Sequence, residues 1–402
     1  MSLQPVMSII DYISILAARY PAGKQALDSA PNALYLQGGN KLRLLMQNYF
    51  LNIFVCGLIA AGLSGCGEPR PMPGKPYHHI NSGFRNPPGS PPRNSWFARA
   101  PWVAMRVANI VTSADVSPPH DHVLPRDQVL RQFAETRDKN TITWIGHMTT
   151  LLRLDGKQIL TDPWLTEHAS PFGSFGPKRY VPPALSFDLL PRIDFVVISH
   201  GHFDHLDVPT IEELPSRERI TAIVPLGIGR FFRDSGYGRV IELDWEQSVT
   251  VDGMIFTALP VIHWSKRSLF ESNDTLWAGF AIEAPDGARI YFGGDAEYGP
   301  VYADIAKRHG GFDLAMLSIG AFLPRAVMDG AHCVPKECLQ IGRDLGAHTN
   351  LGIHWGTVRL GDDGPYLARD RFIAAGRNAG LPDERVWTMM IGETRELPRR
   401  SN

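Results

Sequence analysis

The sequence predicts an α+β chain in which stacked β-sheets are covered by helices. Three observations point there. From Thr141 to the C-terminus, short strand-like runs alternate with Gly/Pro turns, with only a few segments of helix length. Thirty-eight glycines and 32 prolines in 402 residues favour a loop-rich fold over a helical bundle. There is no Gly-rich dinucleotide fingerprint, no repeat of solenoid period and no heptad array, which leaves a layered sandwich.

Composition narrows the function classes. Lys+Arg (40) and Asp+Glu (41) nearly cancel, so no global positive field exists to attract nucleic acid. With 44% apolar and 20% charged residues the composition is that of a globular protein. The oligomeric state leaves no mark in it.

Taken in chain order, the first feature is the apolar run Phe50 to Leu63, shorter than the roughly 20 residues that cross a bilayer. It has the length of a signal-peptide core. Leu63-Ser64-Gly65-Cys66 follows and resembles the lipobox of bacterial lipoprotein precursors; the alternative is a buried helix with a coincidental cysteine. Lys41 and Arg43 supply a basic flank but lie far from Met1. Residues 1–45 therefore read as an over-called extension, with initiation near Leu42 or Met46, and 46–66 as signal peptide and lipobox. Nine prolines between Pro69 and Pro101 make 67–101 a tether, and 102–402 is the folded domain. A chain processed at Cys66, with Gly67 next, is expected in the bacterial cell envelope, lipid-anchored at the outer membrane and facing the periplasm.

Within the domain, Thr141 to Leu154 and Gln158 to Thr161 read as a hairpin about Asp155-Gly156. Ile193 to Ile198 reads as a strand buried on both faces. Further strands are expected at Thr221 to Pro225, Val240 to Leu243, Met254 to Pro260, Trp277 to Glu283, Arg289 to Phe292 and Leu314 to Ile319. Helices are expected at Pro335 to Leu345 and Leu367 to Ala379. Four cysteines cannot make a disulfide scaffold. Cys333 and Cys338 are five apart, a poor spacing for a bridge within one helix, and are expected to be packing residues.

Chemistry concentrates after the buried strand. His200-Gly201-His202-Phe203-Asp204-His205 places three imidazoles and a carboxylate in six residues, all ligands for a borderline divalent metal. One loop cannot complete two coordination spheres. His263, Asp295 and His354 are the later candidates, each following an expected strand. The glycines of Gly293-Gly294 let the backbone approach closely before Asp295.

The HxHxDH motif followed by a His, an Asp and a His resembles the metallo-β-lactamase superfamily. The likeness extends to its N-acylphosphatidylethanolamine-hydrolysing phospholipase D branch. It is carried by Thr143-Trp144-Ile145-Gly146-His147-Met148-Thr149, Leu160-Thr161-Asp162-Pro163, Gly176-Pro177-Lys178-Arg179-Tyr180 and Val240 to Trp245. It continues through His263-Trp264-Ser265-Lys266-Arg267, Phe292 to Asp295 and Ile353-His354-Trp355-Gly356-Thr357. The resemblance implies a four-layer αββα sandwich of the metallo-β-lactamase type and two zinc ions per chain. His200, His202 and His263 would hold one metal; Asp204, His205 and His354 would hold the other, bridged by Asp295. Ligand type alone admits iron or manganese as well. Asp204 is also expected to be catalytic, through contact with the bridging hydroxide. Asp162 would orient the metal-binding loop, and His147 reads as structural. His332 resembles the family's active-site histidine and is the candidate proton donor. Its alternative is a flanking residue of the helix that starts at Pro335, because Cys333 to Cys338 departs from the acidic helix start of relatives.

The implied activity is metal-dependent phosphodiester hydrolysis of phospholipase D type, yielding phosphatidic acid and an N-acylethanolamine from a membrane-resident lipid. Phe172, Phe175, Leu269, Phe270 and Phe322 are candidates for an apolar groove facing that membrane, with core packing the favoured reading of any single one of them. A hydrolase of the same fold acting on a lactone or a soluble phosphodiester is the second reading, and a non-enzymatic metal-binding envelope protein the third.

Overall fold

The computed structural model describes residues 70–95, 99, 102, 122–170, 176–267 and 273–400. The N-terminal extension, the apolar run, Cys66 and the groove candidates Phe172, Phe175, Leu269 and Phe270 lie outside them.

Two seven-stranded sheets organise the domain. The first contains β3 (Thr141–Gly146), β4 (Thr149–Leu154), β5 (Lys157–Thr161), β6 (Phe195–Val197), β7 (Thr221–Pro225), β8 (Arg239–Leu243) and the C-terminal β16 (Thr394–Glu396). Its order is β16-β3-β4-β5-β6-β7-β8, antiparallel as far as β5 and parallel from there. The second contains β9 (Ser248–Val251), β10 (Met254–Leu259), β11 (Gly279–Glu283), β12 (Arg289–Phe292), β13 (Leu314–Ser318), β14 (Thr349–Ile353) and β15 (Val386–Trp387). Its order is β15-β14-β13-β12-β11-β10-β9, with the same switch from antiparallel hairpins to parallel crossovers.

The period-2 alternation of strands sorts the side chains into layers. Ile142, Trp144, Leu152, Phe195 and Val197 of the first sheet share one core with Phe256, Phe280, Ile290, Phe292 and Met316 of the second. The intervening Leu151, Leu160, Val196 and Ala222 turn outward. They pack with Val129 of α1 (Arg126–Glu135), Ile211 of α2 (Val208–Glu213) and Phe232 of α3 (Gly229–Asp234). On the far side of the second sheet lie α4 (Val301–His309), α6 (Pro335–Asp344) and α7 (Leu367–Asn378), after the short α5 (Arg325–Met328). The αββα expectation is met. Among the described residues no helix is long and apolar enough to cross a membrane.

Three expectations are corrected. Thr141 to Leu154 is two strands, because the chain folds back at His147-Met148. A bulge shifts the register between Trp144 and Gly146, and both Gly146 (φ 128°) and His147 (φ 56°) have positive φ. The segment 67–101 is not a free tether where it is described. Residues 70–95 lie on the domain through a small hairpin of β1 (His79–Ile80) and β2 (Gly83–Phe84). Its prolines are interleaved with anchors: Phe84 is buried, and Asn94 Nδ2 donates to Ala326 O (3.0 Å). Cys333 and Cys338 form a disulfide. Cys333 precedes α6 in extended chain, so the pair is not confined to one helix and its Cα atoms stand 5.5 Å apart, inside the bridging range. Phe322, by contrast, is fully buried in the core, the packing role favoured for any single groove candidate.

Candidate metal centre

Each of the seven candidate ligands lies beyond a strand's C-terminal end. β6 leads into Ser199 and the His200–His205 loop, β10 into His263, β12 into Asp295 and β14 into His354. The structure brings all seven expected ligands together, in two adjacent groups. His200, His202, His263 and Asp295 form one; Asp204, His205 and His354 form the other, joined by His147.

In the first group His200 Nε2 and His202 Nδ1 are 2.7 Å apart, and His263 Nε2 is 3.3 Å from His202 Nδ1 and 3.8 Å from Asp295 Oδ2. In the second, His205 Nε2 stands 3.3 Å from Asp204 Oδ2 and His354 Nε2 3.5 Å from it. Asp295 reaches across, 3.2 Å from each of those two ring nitrogens. Ligand atoms about 2.0–2.1 Å from a tetrahedral ion lie roughly 3.3 Å from one another, so most of these separations suit one. Orphaned ring nitrogens agree: His205 Nε2 and His354 Nε2 are buried with no hydrogen-bond partner.

A second tier of contacts aims the ligands. Ser199 N–H and Oγ–H donate to the two oxygens of Asp162 (2.7 and 2.6 Å). His205 Nδ1 donates to Asp162 Oδ2 (2.7 Å) and His263 Nδ1 to Ala331 O (2.9 Å), leaving each Nε2 pointed inward. Ser318 Oγ donates to Asp295 Oδ1 (2.7 Å). Asp162 thus orients the loop, as expected.

Burial opposes the charge on Asp204 and Asp295. Neighbouring imidazoles outweigh it, His205 first for Asp204 and His354 first for Asp295, and both carboxyls lie well below their usual range. Burial conversely pushes His202 down to about 3 and His147 to about 3. His205 goes the other way: its burial is outweighed by the carboxylates of Asp295 and Asp204, which hold it well above the usual range, and a divalent cation between the same carboxylates would take the place of that proton. His332 lies beside the groups, its Nε2 3.9 Å from Asp295 Oδ2 and its ring 5.3 Å from that of His263. Burial lowers it to about 4, and its side chain keeps 12% exposure. Val334 caps α6, so His332 lies two residues outside that helix while its ring borders the ligand groups.

Three site residues escaped the sequence reading. His147, read as structural, has a specific contact that the sequence did not show: it donates from Nε2 to Asp204 Oδ2 (2.8 Å); the glycine before it inside an apparent strand was the signal. Ser318 holds the shared carboxylate. Asn86, from the supposed tether, accepts from His263 N–H and Trp277 Nε1–H (both 3.0 Å). A cavity of about 210 Å³ opens at His354, lined also by Tyr180, Ala321, Trp355, Val358 and Asp363.

A family model described as beta-lactamase superfamily domain matches residues 157–355. An uncharacterized Mycobacterium tuberculosis protein is 41% identical over 54% of this chain, a match that spans 59% of the relative's length. The N-acyl-phosphatidylethanolamine-hydrolyzing phospholipase D 1 of Caenorhabditis elegans is 36% identical over 70% of this chain and 82% of its own. The solved isothiocyanate hydrolase from Delia radicum gut bacteria superimposes with a TM-score of 0.51 at 19% identity, over 64% of this chain and all of that one; it shares the fold.

Proposed function

The chain belongs to the metallo-β-lactamase superfamily, with relatives named N-acyl-phosphatidylethanolamine-hydrolysing phospholipase D, and from that premise we propose that it is a binuclear zinc phosphodiesterase. Its substrate class would be N-acylphosphatidylethanolamine-like lipids, cleaved to phosphatidic acid and an N-acylethanolamine. One observation carries the reading: two adjacent ligand groups share Asp295, and a histidine outside both, His332, borders them with its side chain partly open.

His200, His202 and His263 would hold one ion and Asp204, His205 and His354 the other. Such a pair of ions, when bound, supplies a nucleophilic water and offsets charge on the phosphoryl oxygens. The protein's own residues do the rest. His147 holds Asp204 in place by its hydrogen bond. His332 is the candidate proton donor by placement, its Nε2 3.9 Å from the shared carboxylate; burial lowers it to about 4, so it is neutral near pH 7 and must take up a proton before it can hand one to a leaving oxygen. The cavity at His354 offers room for one polar headgroup.

We also propose that the chain is lipid-anchored through Cys66 in the bacterial envelope. A surface-tethered enzyme gains effective concentration on a substrate that stays in the bilayer. The Cys333–Cys338 disulfide favours an oxidising compartment and supports this placement. Cys66→Ser is expected to release the protein from the membrane fraction or block processing; membrane association unchanged by that substitution refutes the anchor.

The activity is tested with purified protein on vesicles of N-acylphosphatidylethanolamine, on a soluble phosphodiester and on a lactone. Release of phosphatidic acid, enhanced by an interface and abolished by chelation, is expected. Turnover confined to the lactone overturns the substrate assignment.

A further inference from the structure

Among the described residues, one group of ligand-type side chains shares no member with the candidate centre: His78, His79 and Asp244, whose ligand atoms lie within 4.8 Å of one another. We propose that these three form a separate divalent-metal site, of the zinc type, that clamps the N-terminal arm to the domain.

The donor set is two imidazole nitrogens and a carboxylate, suited to a borderline cation and leaving a fourth position for water. It is assembled across 165 residues of sequence, from the arm's first strand and the loop that follows β8. His78 Nε2 stands 2.6 Å from Asp244 Oδ1, and His79 Nε2 2.7 Å from Asp244 Oδ2. The His200–His202 pair of the candidate centre shows the same spacing, 2.7 Å. Entry of an ion would widen both by a few tenths of an ångström.

The surroundings are those of a built site. Trp245 N–H donates to Asp244 Oδ1 (2.8 Å), and Asp244 N–H donates to Gln247 Oε1 (3.0 Å), so the carboxylate's orientation is fixed from behind. The Trp245 ring lies 4.3 Å from that of His78, and Phe84 lies 5.0 Å from His79. His78 is buried, while the His79 side chain keeps 12% exposure, a route for the ion and its water. Buried carboxylates between imidazoles and apolar walls are worth most when a cation completes them.

The clamp sits one link from the chemistry. The chain that leaves this site carries Asn86, which receives the backbone N–H of His263. Closing the arm on the domain therefore steadies a ligand of the candidate centre from behind.

The test reads metal content, not turnover, so its failure is separate from failure of the proposed reaction. The full chain carrying His202→Ala, His205→Ala and Asp295→Ala is stripped and titrated with Co²⁺. It is expected to bind about one ion with visible d–d absorption, and to lose that ion when Asp244→Asn or His79→Gln is added. In the otherwise unaltered chain, Asp244→Asn is expected to lower the metal content by about one ion while far-UV circular dichroism is unchanged. A folded triple variant that binds no Co²⁺ overturns the proposal, and the cluster is then a hydrogen-bonded latch only. Should the triple variant not fold, the unaltered-chain comparison decides: metal content indifferent to Asp244→Asn refutes the site.

Discussion

Asp295 is the residue on which both ligand groups depend. Its oxygens stand 3.2 Å from His205 Nε2 and His354 Nε2 and 3.8 Å from His263 Nε2, and Ser318 holds its free orientation. Asp295→Asn keeps the shape and removes the shared charge, so elemental analysis should show both ions weakened together. Loss of only one would break the bridging assignment. His332 makes the opposite prediction, because its ring borders the groups without completing either. His332→Ala should retain metal while lowering kcat by about 10²–10⁴-fold, the usual worth of a proton donor. That loss should shrink on a nitrophenyl ester, whose leaving group needs no proton. Equal losses on good and poor leaving groups would make His332 a substrate-positioning residue.

At the scale of elements, the site is made by turns after strands, and these were unevenly legible. The HxHxDH loop was plain from residue types alone, because three imidazoles and a carboxylate in six residues have few other uses. The strand ends carrying His263, Asp295 and His354 were legible from apolar runs such as Arg289 to Phe292, which the structure matches residue for residue. The His147 turn was hidden, since Gly146-His147 interrupts an otherwise continuous β-type pattern and only backbone geometry separates the two strands. The Cys333–Cys338 bridge was missed because its first cysteine lies just outside the helix that the spacing argument assumed. Gly294 has φ 59°, and an added Cβ would stand 2.5 Å from Ser199 Cβ, behind the His200 loop. Gly294→Ala should destabilise by about 1–3 kcal/mol in urea denaturation and reduce metal content; an unchanged midpoint would contradict the close approach. The bridge closes a very short loop beside His332. By chain entropy, replacing both cysteines with serine should cost about 2 kcal/mol, with metal content kept. Two free thiols titrated in protein isolated from an oxidising compartment would refute the bridge.

At the scale of the molecule, the two ligand groups draw on both sheets. His200, His202, Asp204 and His205 follow β6 of the first sheet, whereas His263, Asp295 and His354 follow β10, β12 and β14 of the second. Ions bound there would join the halves of the sandwich at one edge, while the shared apolar core holds them together elsewhere. The layered architecture was legible from strand spacing. The packing of residues 70–95 was not, because proline content masked the anchors at His78, His79, Phe84 and Asn86. This division of labour predicts how the protein responds to metal removal. The core contains its own large buried side chains, such as Trp144, Phe256 and Phe280, so the stripped protein should remain folded. A ligand that binds only the native state adds RT ln(1 + [L]/Kd), about 2.7 kcal/mol at a free concentration one hundred times Kd. Tm should therefore fall on chelation, recover with added Zn²⁺ and keep rising with its concentration. Hydrogen exchange should quicken most at the loops after β6, β12 and β14 and least at the central strands. Stripping that leaves Tm unmoved would mean that the seven side chains do not hold ions strongly enough to join the sheets. Stripping that unfolds the whole domain would mean that the core depends on the metal after all.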